Sequence, residues 1–362
     1  MGFEYLRFYR FRNLEDTTLS CKGSEVFLVG ENGQGKTNIL EGVYCLSYGS
    51  SFRTRKDENL IQYGEKEALV EGFYTSDDSS YKIRFHLTEE GKKIRLDGKD
   101  IRDRGELVGS VPCILFAPED IRFIQGPPEM QRFFFNQTAT LSNPFFLSIW
   151  KRYLRILKQR NAVLKAGNPN VLDVYDPEFI KTGMEITRER KILVASFLQT
   201  FSFLFKEVSQ IDRDVFIRYV PSWNFEDPQE VQQVLQSKRE ADFTLGTTTT
   251  GPHRDRFRFF FGLKEFSSAA SNGQIRLASL LLKSAQAHYV CEKTGRKPIF
   301  LVDDVLLEMD YPRRKRFLSH LPKYEQSFFT FLPDEPYTTY RTPSTRVYTV
   351  TQGVLKESGE IA

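Results

Sequence analysis

Gly30-Glu31-Asn32-Gly33-Gln34-Gly35-Lys36-Thr37 is the stretch from which the rest of the chain can be read. A short apolar run, Val26-Phe27-Leu28-Val29, precedes it, and Ile39-Leu40-Glu41-Gly42-Val43-Tyr44-Cys45-Leu46 follows with helical spacing. Strand, glycine-rich loop and helix start together form the setting in which G-x-x-x-x-G-K-[ST] marks a phosphate site and not an ordinary tight turn. The glycines let backbone N–H groups close round a β-phosphate, and the helix N-terminus adds its partial positive charge. Gly30, Glu31, Asn32, Gly33, Gln34, Gly35, Lys36, Thr37 and Asn38 are therefore candidate residues for binding a nucleoside triphosphate. Lys36 would reach the β/γ-phosphates and Thr37 would hold Mg²⁺.

A second acidic element fits the same chemistry. Pro298-Ile299-Phe300-Leu301-Val302-Asp303-Asp304 is a continuous apolar strand that ends in two carboxylates. A buried parallel strand delivers such residues to its C-terminal end, beside a phosphate loop. Asp303 is expected to hold Mg²⁺, through water, and Asp304 to take the proton of an attacking water. Just upstream, Ser271-Asn272-Gly273-Gln274 opens an apolar helical run. It offers a hydroxyl, flexible backbone and free N–H groups that suit an anion, although the same tetrapeptide can serve only as a helix cap. In ATP-binding-cassette heads the loop at this place reaches across a dimer to the partner's nucleotide. Leu307-Glu308-Met309-Asp310 sits where those heads line the dimer seam.

Cations near these motifs can be read two ways. Arg12, in the turn-like break Phe11-Arg12-Asn13-Leu14, is close in sequence to the phosphate loop and is a candidate nucleotide contact or a solvated turn residue. Arg53, Arg55 and Lys56 crowd a polar loop after the first helix. Lys151, Arg155 and Lys158 fall at i, i+4 and i+7 of a helix, and Arg188, Arg190 and Lys191 lie on a second one. These are candidate DNA contacts or solvated helix faces.

Composition bounds the rest. A chain of 362 residues with 40% hydrophobic and 27% charged residues is a folded globular protein of about two domains. Its net charge of +4 permits nucleic-acid binding without requiring it. Most of the 32 phenylalanines lie in strand-like or helical runs and read as core. Cys21, Cys45, Cys113 and Cys291 form no CxxC pair and read as free thiols, with no zinc grouping among them and the four histidines. The N-terminus lacks a signal-peptide pattern, and no apolar run is read as approaching the roughly 20 residues that span a bilayer, so a cytoplasmic protein is expected.

Along the chain, residues 1–29 alternate as strands and residues 68–102 form an antiparallel meander with an Asp97-Gly98 turn. Val111-Pro112-Cys113-Ile114-Leu115-Phe116 reads as a buried strand. Helices are expected from there to about residue 210, then a strand at 215–220, a helix over 227–241 and a strand at 257–261. The last thirty or so residues carry no motif. The expected fold class is α/β, with buried parallel strands and an antiparallel sheet.

The chain resembles the bacterial RecF family of recombination mediators. The resemblance rests on the phosphate loop through Asn38-Ile39-Leu40-Glu41, and on Ser51-Phe52-Arg53-Thr54, Phe116-Ala117-Pro118-Glu119-Asp120 and Gln159-Arg160-Asn161. It continues through Thr250-Gly251-Pro252-His253-Arg254-Asp255, Ser271-Asn272-Gly273-Gln274 and Asp303-Asp304-Val305. It implies an α/β P-loop ATP-binding-cassette head, a mixed parallel core sheet plus an antiparallel sheet, closed from both chain ends by residues 1–117 and 246–362 with 118–245 as an inserted helical arm. Such a head binds ATP and Mg²⁺, binds DNA, dimerises on ATP with Ser271 acting in trans, and hydrolyses ATP slowly. The family's role implies RecR and RecO as partners at gapped DNA, RecA loading against single-strand-binding protein, replication restart and the SOS response. Asn136 stands where the family usually has Asp, Arg256 where a second acid is common, and Ala270 where an apolar residue precedes the signature serine.

Two alternatives are weaker. A chromosome-organising ATPase of the SMC type needs hundreds of heptad-repeating residues between the two halves of the site, which residues 118–245 cannot supply. A transporter ATPase subunit leaves His253-Arg254-Asp255 without a purpose.

Overall fold

In a computed structural model, residues 2–76 and 79–358 are described, without the side chains of Pro169, Asn170, Leu307 and Glu308. The chain begins with β1 (Gly2–Tyr9), β2 (Thr17–Ser20), β3 (Glu25–Val29), α1 (Lys36–Tyr48), β4 (Glu67–Thr75), β5 (Ser80–Thr88), β6 (Gly91–Leu96), β7 (Lys99–Asp100), α2 (Arg104–Ser110) and β8 (Cys113–Phe116). It continues with α3 (Arg122–Gln125), α4 (Pro128–Ser142), α5 (Phe145–Ala166), α6 (Pro169–Ser209), β9 (Val215–Val220), α7 (Pro228–Leu245), β10 (Arg256–Phe261), β11 (Lys264–Glu265), α8 (Phe266–Ala269) and α9 (Asn272–Thr294). It closes with β12 (Ile299–Val302), α10 (Tyr311–Ser319), β13 (Gln326–Phe331), β14 (Thr345–Thr351) and β15 (Val354–Glu357). Two compact units result: Met1–Pro118 with Val290–Ala362, and Glu119–Tyr289. The second unit runs on past residue 245, where the motifs suggest that an arm ends, because Thr248, Thr249 and Asp255 bond to its helices.

The first unit holds the expected pair of sheets. One is antiparallel, in the order β2-β1-β4-β5-β6-β7; the other runs β15-β14-β3-β13-β12-β8 and is parallel from β14 to β8. Strands β3, β8 and β12 read EVFLV, CILF and IFLV with almost every residue buried, as parallel strands covered on both faces require. In β5, by contrast, Ile83, Phe85 and Leu87 are buried while Arg84 between them is exposed, so that sheet shows one face to the core. Leu28 of β3, Ile39 and Leu40 of α1, Leu6 of β1 and Leu301 of β12 share one apolar cluster. Each such side chain contributes about 2 kcal/mol by leaving water. The four cysteines are free.

Strands β14 and β15 are the main addition to what the motifs suggest. They come from the stretch without motifs, yet β14 lies beside β3 in the centre of the parallel sheet. A buried glutamine locks the sheet to the N-terminus. Gln326 Oε1 accepts the Phe3 N–H at 2.8 Å, and Nε2 lies 3.1, 2.6 and 3.0 Å from the carbonyls of Phe3, Cys21 and Gly23.

The second unit packs helices α3–α9 with the three-stranded sheet β11-β10-β9. Its centre is α6, and here the sequence expectation needs correction. Residues 171–209 are long and apolar enough, by length and composition alone, to cross a membrane. The core helix of a water-soluble protein passes the same test, and Phe179, Ile186, Leu193, Phe197, Phe201 and Phe205 are buried here among protein side chains. Arg190, on the same helix, is buried as well. Pro177 interrupts the helix interior and removes one hydrogen bond from its ladder.

His253 occupies a neutral slot in this unit. Its Nε2 is 3.0 Å from the Thr248 carbonyl, which only an N–H can satisfy, so Nδ1 accepts the Tyr153 hydroxyl at 2.7 Å. Burial pushes the imidazole down to about 4, opposed by the Thr248 carbonyl and Asp242 and reinforced by Arg254 and Arg132.

Gln326→Leu leaves the Phe3 N–H and three carbonyls without their partner, and is expected to lower stability by about 2–3 kcal/mol in urea unfolding. For His253 the folded state favours the neutral ring, so its contribution is present above the unfolded value of 6.5 and is lost as pH falls toward about 4. Urea unfolding at pH 7, 5.5 and 4.5 should show a loss of up to about 3 kcal/mol that a His253→Gln variant lacks.

Candidate nucleotide site

Three strand ends build the site in the first unit. Strand β3 stops at Val29, Gly30 N–H donates to the Phe331 carbonyl at the end of β13 (3.1 Å), and the chain turns into α1 through Gly35, whose φ of 117° a side chain would resist. The helical ladder starts with the Asn38 and Ile39 N–H groups on the Gly35 carbonyl. The N–H groups of Lys36 and Thr37 precede it, as donors at a helix start do. Glu31, Asn32 and Gly33 are exposed, and nothing lies within 4 Å of where a Gly33 side chain would begin. Lys36 is buried, with Nζ donating to the Gly30 carbonyl at 2.6 Å and the Glu31 carbonyl at 3.1 Å. The ammonium is thus held inside the curl of the loop by neutral acceptors, with its charge uncompensated by them.

Thr37 and Asp303 meet. The Thr37 hydroxyl donates to Asp303 Oδ1 at 3.0 Å, and Asp303, buried at the end of β12, donates its N–H to the Phe116 carbonyl of β8 at 2.9 Å. The next residue, Asp304, adopts φ 51° and is half-buried. A non-glycine residue held left-handed costs of order 1 kcal/mol or more and persists where neighbours fix it. Thr330 of β13 fixes it: its hydroxyl accepts the Asp304 N–H at 2.8 Å and donates to Asp304 Oδ1 at 2.7 Å. Thr330 escaped sequence reading; its only signal is a hydroxyl in the middle of the apolar strand QSFFTF.

A polar network flanks α1. Arg12, left-handed at φ 57°, donates from Nε and Nη2 to the two oxygens of buried Glu41, both at 2.8 Å, and Ser51 Oγ donates to the same carboxylate at 2.5 Å. Arg53 Nη1 donates to Asn38 Oδ1 at 2.8 Å, while Asn38 Nδ2 donates to Asn13 Oδ1 at 2.6 Å. Arg12 and Arg53 are therefore engaged with helix α1; Arg55 and Lys56 are exposed in the loop beyond. Near the end of β13, Glu335 accepts the Leu332 N–H at 2.7 Å and faces Arg314 at 3.6 Å. Burial holds its carboxyl above the usual range despite these partners and Lys36, and Asp304 pushes it the same way.

The remaining candidates lie in the second unit. Ser271 and Gln274 form a reciprocal cap at the start of α9: the Ser271 N–H donates to Gln274 Oε1 at 2.8 Å, and the Gln274 N–H to Ser271 Oγ at 3.3 Å. Ser271, Asn272 and Gly273 are exposed. Lys151, Arg155 and Lys158 share the exposed side of α5. Arg190 does not belong to a basic surface stripe with Arg188 and Lys191, because it is buried, donating to Asp255 Oδ2 at 2.6 Å and to Asn136 Oδ1 at 2.8 Å. Arg160 is equally buried, bonded to Asp176, Asp242 and Thr248. Of the expected seam loop, the side chains of Leu307 and Glu308 lie outside the described residues.

The site suits a nucleotide and its metal. Among the described residues no group of three or more His, Cys, Asp or Glu side chains could hold a metal alone. Thr37 and Asp303 offer the one hydroxyl and one carboxylate that Mg²⁺ takes when phosphates and water supply its other ligands.

Similarity to known proteins agrees with this geometry. The family model for the RecF/RecN/SMC N-terminal domain matches residues 3–356. The chain is 38% identical over 349 residues to the DNA replication and repair protein RecF of Treponema pallidum (strain Nichols), across 96% of this chain and 99% of that one. It is 30% identical over 371 residues to the protein of the same name from Halalkalibacterium halodurans, across 99% and 100%. A solved structure of the recombination mediator protein RecF with ATP in the RecFOR pathway has a TM-score of 0.90 at 26% identity, covering 99% of this chain and 98% of that one. An Smc head bound to the C-winged helix domain of ScpA shares the fold, with a TM-score of 0.58 at 15% identity over 99% and 97%.

Proposed function

Since the chain belongs to the RecF/RecN/SMC family, and within it to the RecF proteins of DNA replication and repair, we propose that it is an ATP-switched, DNA-binding recombination mediator. The observation that carries the reading is the Thr37–Asp303 hydrogen bond, which joins the phosphate loop to the acid of β12 as a ready magnesium pair. The solved RecF–ATP complex of the same fold supports ATP as the nucleotide.

In this reading the N–H groups of residues 30–38 receive the phosphates and Lys36 supplies the fixed positive charge. Thr37 and Asp303 hold Mg²⁺, whose chemistry is to neutralise phosphate charge. Asp304, oriented through one carboxylate oxygen by Thr330, has the other to accept a proton from water. Arg12 acts through Glu41 and α1, steadying the helix that carries Thr37. Residues 1–117 and 246–362 work as the ATPase head and 118–245 as its arm. The segment 246–289 is compact with the second unit yet serves the head through Ser271, Asn272, Gly273 and Gln274.

Neither half-site is complete alone, so the exposed signature loop of one protomer completes the nucleotide site of its partner. ATP then drives a homodimer closed on DNA, and slow, DNA-stimulated hydrolysis releases it. Arg53, Arg55, Lys56, Lys151, Arg155 and Lys158 are the proposed DNA contacts. The protein would act in the cytoplasm at single-strand gaps and stalled forks, with RecR and RecO, helping RecA replace single-strand-binding protein and supporting SOS induction. An SMC-type organiser is disfavoured, since the longest helix among the described residues, α6, is 41 residues.

Sedimentation velocity tests the switch. ATP is expected to double the mass of the wild type and leave Lys36→Arg and Ser271→Arg monomeric; a Ser271→Arg protein that still dimerises on ATP would end the proposal of completion in trans. DNA affinity should fall linearly with salt on logarithmic axes. Replacing Lys151, Arg155 and Lys158 with Gln should flatten that slope by roughly 2–3 if all three meet phosphates. An unchanged slope removes α5 from the DNA surface.

A further inference from the structure

The two-residue turn at the C-terminal end of the chain grips the phosphate loop. Strand β14 runs parallel to β3 as far as Thr349 opposite Val29, then continues alongside the start of the loop, so close that a side chain on Gly30 would collide with the Val350 carbonyl. The chain reverses through Gln352 (φ 49°) and Gly353 (φ 83°) into β15, with both central residues left-handed, as a tight hairpin turn demands. Both N–H groups of this turn are spent on Gln34. Gln352 N–H donates to Gln34 Oε1 at 2.6 Å, and Gly353 N–H donates to the Gln34 carbonyl at 2.9 Å.

The other side of the turn is held as well. The Gly353 carbonyl accepts the Glu15 N–H at 3.1 Å, and any side chain at Gly353 would strike the Asn13 carbonyl. Asn13 in turn bonds Asn38 of α1, and both Asn13 and Leu14 lie against Gly35. The hairpin therefore sits between the loop and the segment that supports it.

A trans peptide points its carbonyl and its following N–H in opposite directions. Turning the Gln34 carbonyl into the hairpin aims the Gly35 N–H away from it, leaving that donor for an anion. We infer that the β14–β15 hairpin is a positioning element of the nucleotide site: its turn sets the Gln34–Gly35 peptide, so nucleotide affinity depends on residues 350–353 although they carry no phosphate-binding motif. The inference rests on residues 30–37 binding a nucleotide. It entails reciprocity, because a loop ordered by the hairpin must order the hairpin when it is loaded.

The test uses the full chain, titrated with N-methylanthraniloyl-ATP and followed without nucleotide by hydrogen–deuterium exchange. Gln34→Leu removes the side-chain acceptor, and Gly353→Ala expels the turn without altering the loop. Each is expected to weaken nucleotide binding about five- to tenfold, the range of one or two hydrogen bonds, and to speed exchange at residues 31–35. The double variant should lose no more than the worse single, since both cut one connection. Losses that add in the double variant, or a Gly353→Ala protein with wild-type affinity and exchange, would overturn the inference. Should Gly353→Ala not fold, Gln34→Leu decides by exchange at residues 352–353: unchanged protection there counts against the coupling. A wild-type chain that binds no nucleotide refutes the function instead, while the exchange comparison still decides whether the hairpin orders the loop.

Discussion

Parallel pairing of β3 with β13, and of β13 with β12, forces three strand ends to stop at one edge of one sheet. Each end then delivers what its sequence carries: the phosphate loop after β3, Asp303 and Asp304 after β12, and Thr330 within β13. No flexible side chain has to search for its partner. The Thr37–Asp303 bond of 3.0 Å and the double hold of Thr330 on Asp304 are consequences of register, set by backbone ladders whose apolar faces are buried. A one-residue slip of β12 would send its acids to the other face and dissolve the site without changing its composition.

The second unit uses charge where the first uses register. Arg190 is fully buried between Asp255, Asn136 and the rings of Trp150 and Phe257, and Arg160 between Asp176 and Asp242. Two buried charges gain little over a well-packed apolar pair, but removing one partner costs roughly 3–5 kcal/mol. These networks therefore act as locks that tolerate little substitution. Arg160 and Asn161 of the Gln-Arg-Asn stretch and His253 and Asp255 of the Gly-Pro-His-Arg-Asp stretch meet one another's helices and loops. Asn136 takes part without a charge, since its amide oxygen accepts from Nε and Nη2 of Arg190 while Asp255 carries the countercharge.

Much of the architecture was legible because it is local. Glycine spacing before Lys36, the apolar run before Asp303 and the alternation in residues 68–102 each report on neighbours within a few positions. What stayed hidden depends on distant partners. Thr345–Thr351 is an ordinary alternating stretch until β3, more than three hundred residues earlier, is placed beside it. Arg190 sits among cations in sequence and among acceptors in space. The apolar length of α6 gave no warning, because a run with Phe and Leu on every side suits a membrane and a protein core equally. Arg12 has a cation's sequence signal for phosphate, and its pairing through Nε and Nη2 with Glu41 is set by a residue 29 positions away.

The position of β3 has a consequence for how the protein is made. One neighbour, β13, ends at Phe331 and the other, β14, at Thr351, so during synthesis the strand that carries the phosphate loop has two open edges until residue 331 has left the ribosome and one until residue 351 has. Unpaired strand edges with buried-type side chains are templates for wrong partners. The strand that carries the phosphate loop thus waits some three hundred residues for its partners, and a chain that stops before β14 leaves one of its apolar edges unprotected. Synthesis through β14 is built in as a condition for a fully paired β3.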